Sequence, residues 1–299
     1  MKLPLMALIF LLATGISAAT ADDTTIRVER DRALLRKGPG SYYEALALLP
    51  KGTALILLQQ NGSWHKVRQQ ELTGYVSVKV TQPSPPRQDI FSRMAVQPAS
   101  LRLMRHGMSA GAKGFAIRFS KRFKGDSTLV DRTIAYRIDP KAYRSFKKTT
   151  LAALTPPNLW SRFPIPAQAT RSHFTALEQG LGLGIATKIA TLNLYENPSL
   201  QVYINYVGNL VVEASHAYDL PFKFFVIDSP LVNAYACPGG FIFITKGMLQ
   251  LIQNEAELAA VLAHEITHVA FYHGLQELSR RKPLVIAENA FAELDESAP

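Results

Sequence analysis

The chain has 299 residues, 47% hydrophobic and 19% charged, with a formal net charge of +10 at pH 7. That length and apolar content allow two modest domains with real cores. One cysteine, Cys237, excludes an internal disulfide, and past the N-terminus no stretch reaches the ~18 apolar residues of a membrane span.

Met1-Lys2, the apolar stretch 5–12 and Ala19-Thr20-Ala21 read as a signal peptide over residues 1–21, cut before Asp22. The remaining chain is then expected to be exported, periplasmic or associated with the cell envelope. Residues 22–82 alternate short β-type runs with turn signals. Asn61-Gly62 is a hairpin turn between Leu55-Ile56-Leu57-Leu58 and Trp64-His65-Lys66-Val67. Leu35-Arg36-Lys37-Gly38-Pro39-Gly40, Leu49-Pro50-Lys51-Gly52, Asn61-Gly62-Ser63-Trp64 and Gly74-Tyr75-Val76-Ser77 together resemble the bacterial SH3-like domain. The resemblance implies a small all-β barrel that tethers an enzyme to peptidoglycan or another envelope component. Trp64, Tyr42, Tyr43 and Tyr75 would then line a ligand groove or fill the barrel core.

Pro83, Pro85 and Pro86 open a stiff linker over 83–100, because proline resists both helix and central strand. Residues 101–170 read as a basic connecting region. Between 101 and 150 it holds 13 Lys or Arg against Asp126, Asp131 and Asp139, a surplus equal to the charge of the whole chain. Such a surplus favours an anionic envelope surface, with an attraction that salt weakens. Nucleic acid is a poor partner for an exported chain. The glycine runs at 109–114 and 180–184 do not follow a clear strand, so nucleotide binding is not expected.

Residues 171–299 carry the chemistry. Residues 174–195 and 200–218 have helical spacing, with His173 and His216 in solvated or capping positions. Residues 224–227 and 241–245 are β-branched and aromatic runs that read as strands of one small sheet. Asn254 and Glu257 form a capping box for a helical run over 255–273, with Gly274 as its stop. Inside that run stands His264-Glu265-Ile266-Thr267-His268. Residues four apart share a helix face, so both imidazoles reach one ion at about 2.0–2.1 Å, and Glu265 stands beside the ion rather than on it. The pattern suits metal-assisted hydrolysis, in which Glu265 is the general base and later the acid toward the leaving amine. Five residues on, His273 is rotated off the ligand face of a continuous helix and is expected to be a polar helix end or to support the ligands.

Val232-Asn233-Ala234-Tyr235-Ala236-Cys237-Pro238-Gly239-Gly240-Phe241-Ile242-Phe243-Ile244-Thr245-Lys246-Gly247, followed by the capped HExxH helix, resembles the HtpX-type and CAAX-prenyl-protease-type zinc metallopeptidases, metallopeptidase family forty-eight. The similarity runs over about residues 175–280. It implies one Zn²⁺ per chain on His264 and His268, and a polypeptide substrate laid as an added strand near Gly239, Gly240 and Phe241. The family's third ligand is a Glu on a later helix. Only 31 residues follow His268, offering Glu288, Glu293 and Glu296, and Glu288 falls 20 residues beyond it.

The fold class expected is α+β: a small SH3-like barrel, then a mainly helical zincin-type domain with a small sheet. The function expected is an exported zinc endopeptidase acting on envelope proteins or peptides. The competing reading is a truncated or inactive homologue serving as an envelope-binding or chaperone-like module.

Overall fold

A computed structural model describes residues 24–30, 32–82, 110–151 and 174–274. The expected signal peptide, the 83–100 linker, His173, Glu288, Glu293 and Glu296 lie outside the described residues.

The first unit is all β. Strands β1 (Thr25–Arg27), β2 (Arg32–Arg36), β3 (Ala45–Pro50), β4 (Ala54–Asn61), β5 (Trp64–Gln69) and β6 (Leu72–Ser77) form one antiparallel sheet in the order β1-β4-β5-β6-β2-β3. Successive side chains of a strand point to opposite faces, and Leu35, Leu49, Leu55, Val67 and Val76 gather on one side as a core with Val28. Asn61 pairs with Trp64, so the hairpin turns on Gly62-Ser63, one residue later than expected, with Gly62 at φ 57°. Among the described residues no ladder joins β1 to β3, so the sheet is open-ended where a closed barrel was expected.

The described part of the basic region, expected as a connector, is helical. Residues 110–151 fold as α1 (Ala110–Phe123), α2 (Thr128–Ala135) and α3 (Pro140–Leu151). They join the second unit, with α4 (Ala176–Ala190), α5 (Pro198–Glu213), β7 (Lys223–Ile227), β8 (Ala234–Cys237), β9 (Phe241–Thr245), α6 (Lys246–Leu251) and α7 (Glu255–Ala270). An apolar stripe survives between the basic positions, and Ala112, Ala116, Leu129 and Val130 are buried with Leu183 and Ala186 of α4. Part of the surplus charge is consumed locally: Lys113 meets Asp131 at 3.4 Å, Arg132 meets Glu196 at 2.7 Å and Lys147 meets Glu213 at 2.7 Å. The 180–184 glycine run lies inside helix α4.

The sheet order is β7-β9-β8, with β9 parallel to β7 and antiparallel to β8. Every residue of β9 is buried, because helices cover both faces. Phe224, Val226, Ile242 and Ile244 face the core shared with Ile204 and Val207 of α5 and Leu258, Leu262 and Ile266 of α7. Phe225, Ile227 and Phe243 face the opposite core with α1, α2 and α4. Asn205, 1% exposed, fixes the α5 layer to the sheet: its amide donates to the Phe224 carbonyl at 2.8 Å and its oxygen accepts from the Phe224 N–H at 3.1 Å.

The two units meet along a polar seam. After β6 the chain makes a 3-10 turn at Val78–Thr81, whose Lys79 ammonium pairs with Asp219 at 3.0 Å and donates to the His216 carbonyl. Lys79 also lies 4.5 Å from the Tyr218 ring centroid, and the Tyr218 hydroxyl is 2.9 Å from Ser77 Oγ. Trp64 packs edge-on to Tyr218, and Tyr42 stacks on Tyr43 and meets Tyr143 edge-on. Three of the aromatic residues expected in a ligand groove of the β unit are thus spent on, or beside, the seam.

Candidate metal centre

Helix α7 begins where the capping box places it. Asn254 Oδ1 accepts from the Glu257 N–H at 3.0 Å, and Glu257 Oε2 accepts from the Gln253 N–H at 2.9 Å. Leu258, Leu262, Ile266 and Val269 form the buried stripe at helical spacing, which fixes the rotation of the helix. That rotation leaves His264 exposed and His268 half-buried along the rim of a cleft, with Glu265 only 9% exposed beside them. The cleft is also lined by Ala234, Tyr235, Ala236 and Cys237 of β8 and by His273.

His264 Nε2 and His268 Nε2 are 3.1 Å apart. Two nitrogens at about 2.0–2.1 Å from one ion, at a tetrahedral angle, stand about 3.3–3.4 Å from each other. The pair therefore fits a shared zinc ion with a few tenths of an ångström of adjustment. The remaining nitrogen of His268 has its own partner, His273 Nδ1, at 2.9 Å. This contact agrees with His273 as a group that supports the ligands, but the helix is not continuous as expected. Helix α7 ends at Ala270, Tyr272 takes the left-handed φ of 62°, and the chain swings His273 back against His268. Gly274 is not the stop either, since His273 and Gly274 are helical again. A ring nitrogen held this way fixes which nitrogen of His268 is free for an ion.

Burial raises the Glu265 carboxyl above the ordinary carboxylate range, and His264 pulls it partly back. A carboxylate so placed holds a proton more readily than one in water, which suits a group that must take and return one. Cys237 lies below it, 2% exposed, and burial followed by the nearby Glu265 pushes its thiol up to about 12. Such a thiol behaves as a small hydrophobe rather than a nucleophile. Among the described residues no group of three or more His, Cys, Asp or Glu side chains is arranged around one ion. Glu288, Glu293 and Glu296 are outside those residues.

The positions expected to bind substrate lie elsewhere. Gly239, Gly240 and Phe241 are buried in the turn and first residue that lead into β9. Both edges of β9 are occupied, so no peptide can pair with it. Gly239 and Gly240 take φ of 76° and 85°, which is why glycines stand there. The turn is clamped from below by α4, where a Cβ on Gly182 would lie 1.7 Å from the Pro238 carbonyl oxygen. Of the two end strands of this sheet, β7 is bridged at Ile227 by Leu194, and β8 lines the cleft itself. Its Ala-Tyr-Ala-Cys sequence has no β-branched residue and gives no strand signal.

Residues 198–294 match the model of the family described as peptidase family M48, about a third of the chain. The "putative beta-barrel assembly-enhancing protease" of Vibrio cholerae serotype O1 is 38% identical over 94 residues, covering 30% of this chain and 19% of that protein. The "beta-barrel assembly-enhancing protease" of Yersinia pestis is 33% identical over 115 residues, 36% of this chain and 24% of that protein. The "mitochondrial metalloendopeptidase OMA1" of Schizosaccharomyces pombe is 35% identical over 78 residues, 26% of this chain and 23% of that protein. The chain thus spans a quarter or less of the length of these relatives. Residues 198–294, which include the two facing imidazoles and Glu265, are thus similar to peptidase family M48.

Proposed function

We propose that this protein is an exported zinc-dependent endopeptidase that cleaves envelope polypeptides. His264 and His268 hold one Zn²⁺ per chain and Glu265 is the general base. The observation that carries this reading is the 3.1 Å approach of the two Nε2 atoms beside the cleft that His268 and the buried Glu265 line. The names of the Vibrio and Yersinia relatives, which speak of β-barrel assembly, support envelope polypeptides as the substrate class. No helix among the described residues is long and apolar enough to cross a membrane.

When bound, zinc supplies a Lewis acid that polarises the scissile carbonyl and brings the pKa of water toward neutrality. The protein's own groups do the rest. A substrate in extended form adds to the free edge of β8, so that main-chain hydrogen bonds hold it across the cleft before its side chains are sorted. Glu265 takes a proton from water as the water oxygen bonds to the carbonyl carbon. The carboxyl then gives that proton to the amide nitrogen as the C–N bond breaks. His273 holds the His268 ring in orientation throughout. This replaces Gly239, Gly240 and Phe241 as the substrate strand.

Zinc per chain and cleavage of unfolded casein, measured for wild type, Glu265→Gln and His264→Ala/His268→Ala, test the proposal. Expected are one zinc and turnover for wild type, one zinc without turnover for Glu265→Gln, and neither for the double variant. Equal proteolysis by wild type and Glu265→Gln would remove Glu265 as the base, and a zinc-free wild type in excess metal would end the enzymatic reading.

A further inference from the structure

The seam between the two units opens into a second cleft of about 600 Å³. It shares no lining residue with the histidine cleft. Its walls come from the β2–β3 loop with Tyr42 and Tyr43, the α2–α3 loop with Tyr136 and Arg137, and the segment entering β7 with Phe222 and Lys223. Three cations, Lys37, Arg137 and Lys223, line it against one carboxylate, Glu44. Two of its polar groups are poorly served. The half-buried Lys223 ammonium donates to the Thr133 carbonyl, a neutral acceptor, and no carboxylate among the described residues pairs with it. The Tyr136 hydroxyl is buried with no hydrogen-bond partner.

A buried donor left unmet costs free energy that a bound acceptor recovers. Ligand sites favour clefts between units, with apolar walls and a few convergent polar groups. From this geometry we infer that the seam cleft is a binding site for an oxyanion, a carboxylate or phosphate, carried on an aromatic or aliphatic body. The oxyanion accepts from the Lys223 ammonium and the Tyr136 hydroxyl, with Arg137 at the rim, and the body lies against the tyrosines and Phe222. Burial, and then Arg137, lower the Lys223 ammonium to about 7. An anion between the two cations relieves the second of these causes.

Isothermal titration of the whole chain at slightly acid pH tests this, with N-acetylphenylalanine as the carboxylate probe and phenyl phosphate as the phosphate probe. N-acetylphenylalaninamide is the uncharged control. The acids are expected to bind at least about tenfold more tightly than the amide, and Tyr136→Phe and Lys223→Met each to weaken them by about tenfold or more. Arg137→Gln, at an exposed position, weakens them less and leaves the fold untouched should Lys223→Met not fold. Whichever acid leads identifies the head group. Binding of the amide equal to that of the acids, or no binding of either acid, overturns the assignment. So does acid binding that survives Tyr136→Phe and Arg137→Gln, or that vanishes in His264→Ala/His268→Ala.

Discussion

The buried joint at Lys79 and Asp219 and the histidine cleft put polar groups to opposite uses. At the seam, Lys79 and Asp219 are buried, 6% and 2% exposed, and matched at 3.0 Å, with Ser77 and Tyr218 bonded beside them. In the histidine cleft, the Nε2 atoms of His264 and His268 face each other at 3.1 Å, and at most one of them can donate. Removing either partner of a matched buried pair leaves an uncompensated charge. Two facing imidazole nitrogens share at most one proton, which a cation can replace. Paired charges hold the units together, while facing nitrogens leave room for chemistry.

The variants that break this contrast should act on different quantities. The largest effect is expected from Glu265→Gln, which should lower casein cleavage by about 10²–10⁴-fold with zinc content and melting temperature unchanged. A parallel loss of stability would show that Glu265 is structural instead. Asp219→Ala should do the reverse. It strands Lys79, and unfolding in urea should report a loss of about 3–5 kcal/mol, whereas the Lys79→Met/Asp219→Leu pair should recover most of it. An unchanged midpoint in Asp219→Ala would mean that the seam is not a structural joint.

Smaller effects sharpen the picture. Gly182→Ala drives a methyl into the Pro238 carbonyl and should cost about 1–3 kcal/mol of stability. Because that turn carries β8, KM for casein should rise more than kcat falls. His273→Ala should weaken zinc binding by about 10–100-fold, read by competition with a chelator, without unfolding the protein. Lys223 acts on the pH dependence of stability. Its folded pKa of about 7 lies below the unfolded 10.5, so between those values the unfolded chain binds the extra proton and stability rises with pH. Below about 7 both states are protonated and the full penalty is present. Lys223→Met should flatten that slope, and an unaltered slope would place the titration elsewhere.

Much of the metal centre was legible because its residues are local. The spacing of His264, Glu265 and His268, the Asn254–Glu257 cap and the buried stripe at Leu258, Leu262 and Ile266 all repeat with the period of one helix. The β7 and β9 strands were equally plain from their apolar runs. The route of the chain to His273 was not legible because it depends on Tyr272 adopting a positive φ, which nothing in a tyrosine announces. The sequence pointed to β9 for the substrate edge, and the proposal moves it to β8, because β9 is strongly β-forming and β8 is not. Strand strength says nothing about which strand ends up outermost. The basic stretch 110–151 looked like a connector because charge masked a sparse apolar stripe that becomes visible only against α4.

By itself, then, the sequence determined helices α4, α5 and α7, strands β7 and β9 and the pair of imidazoles, since these follow from periodicities of a few residues. Tertiary structure alone decided which strand kept a free edge, how His273 returned to His268, and how the β unit locked onto the 216–220 segment. Those depend on contacts between residues as distant as Lys79 and Asp219, and such contacts leave no periodic trace along the chain.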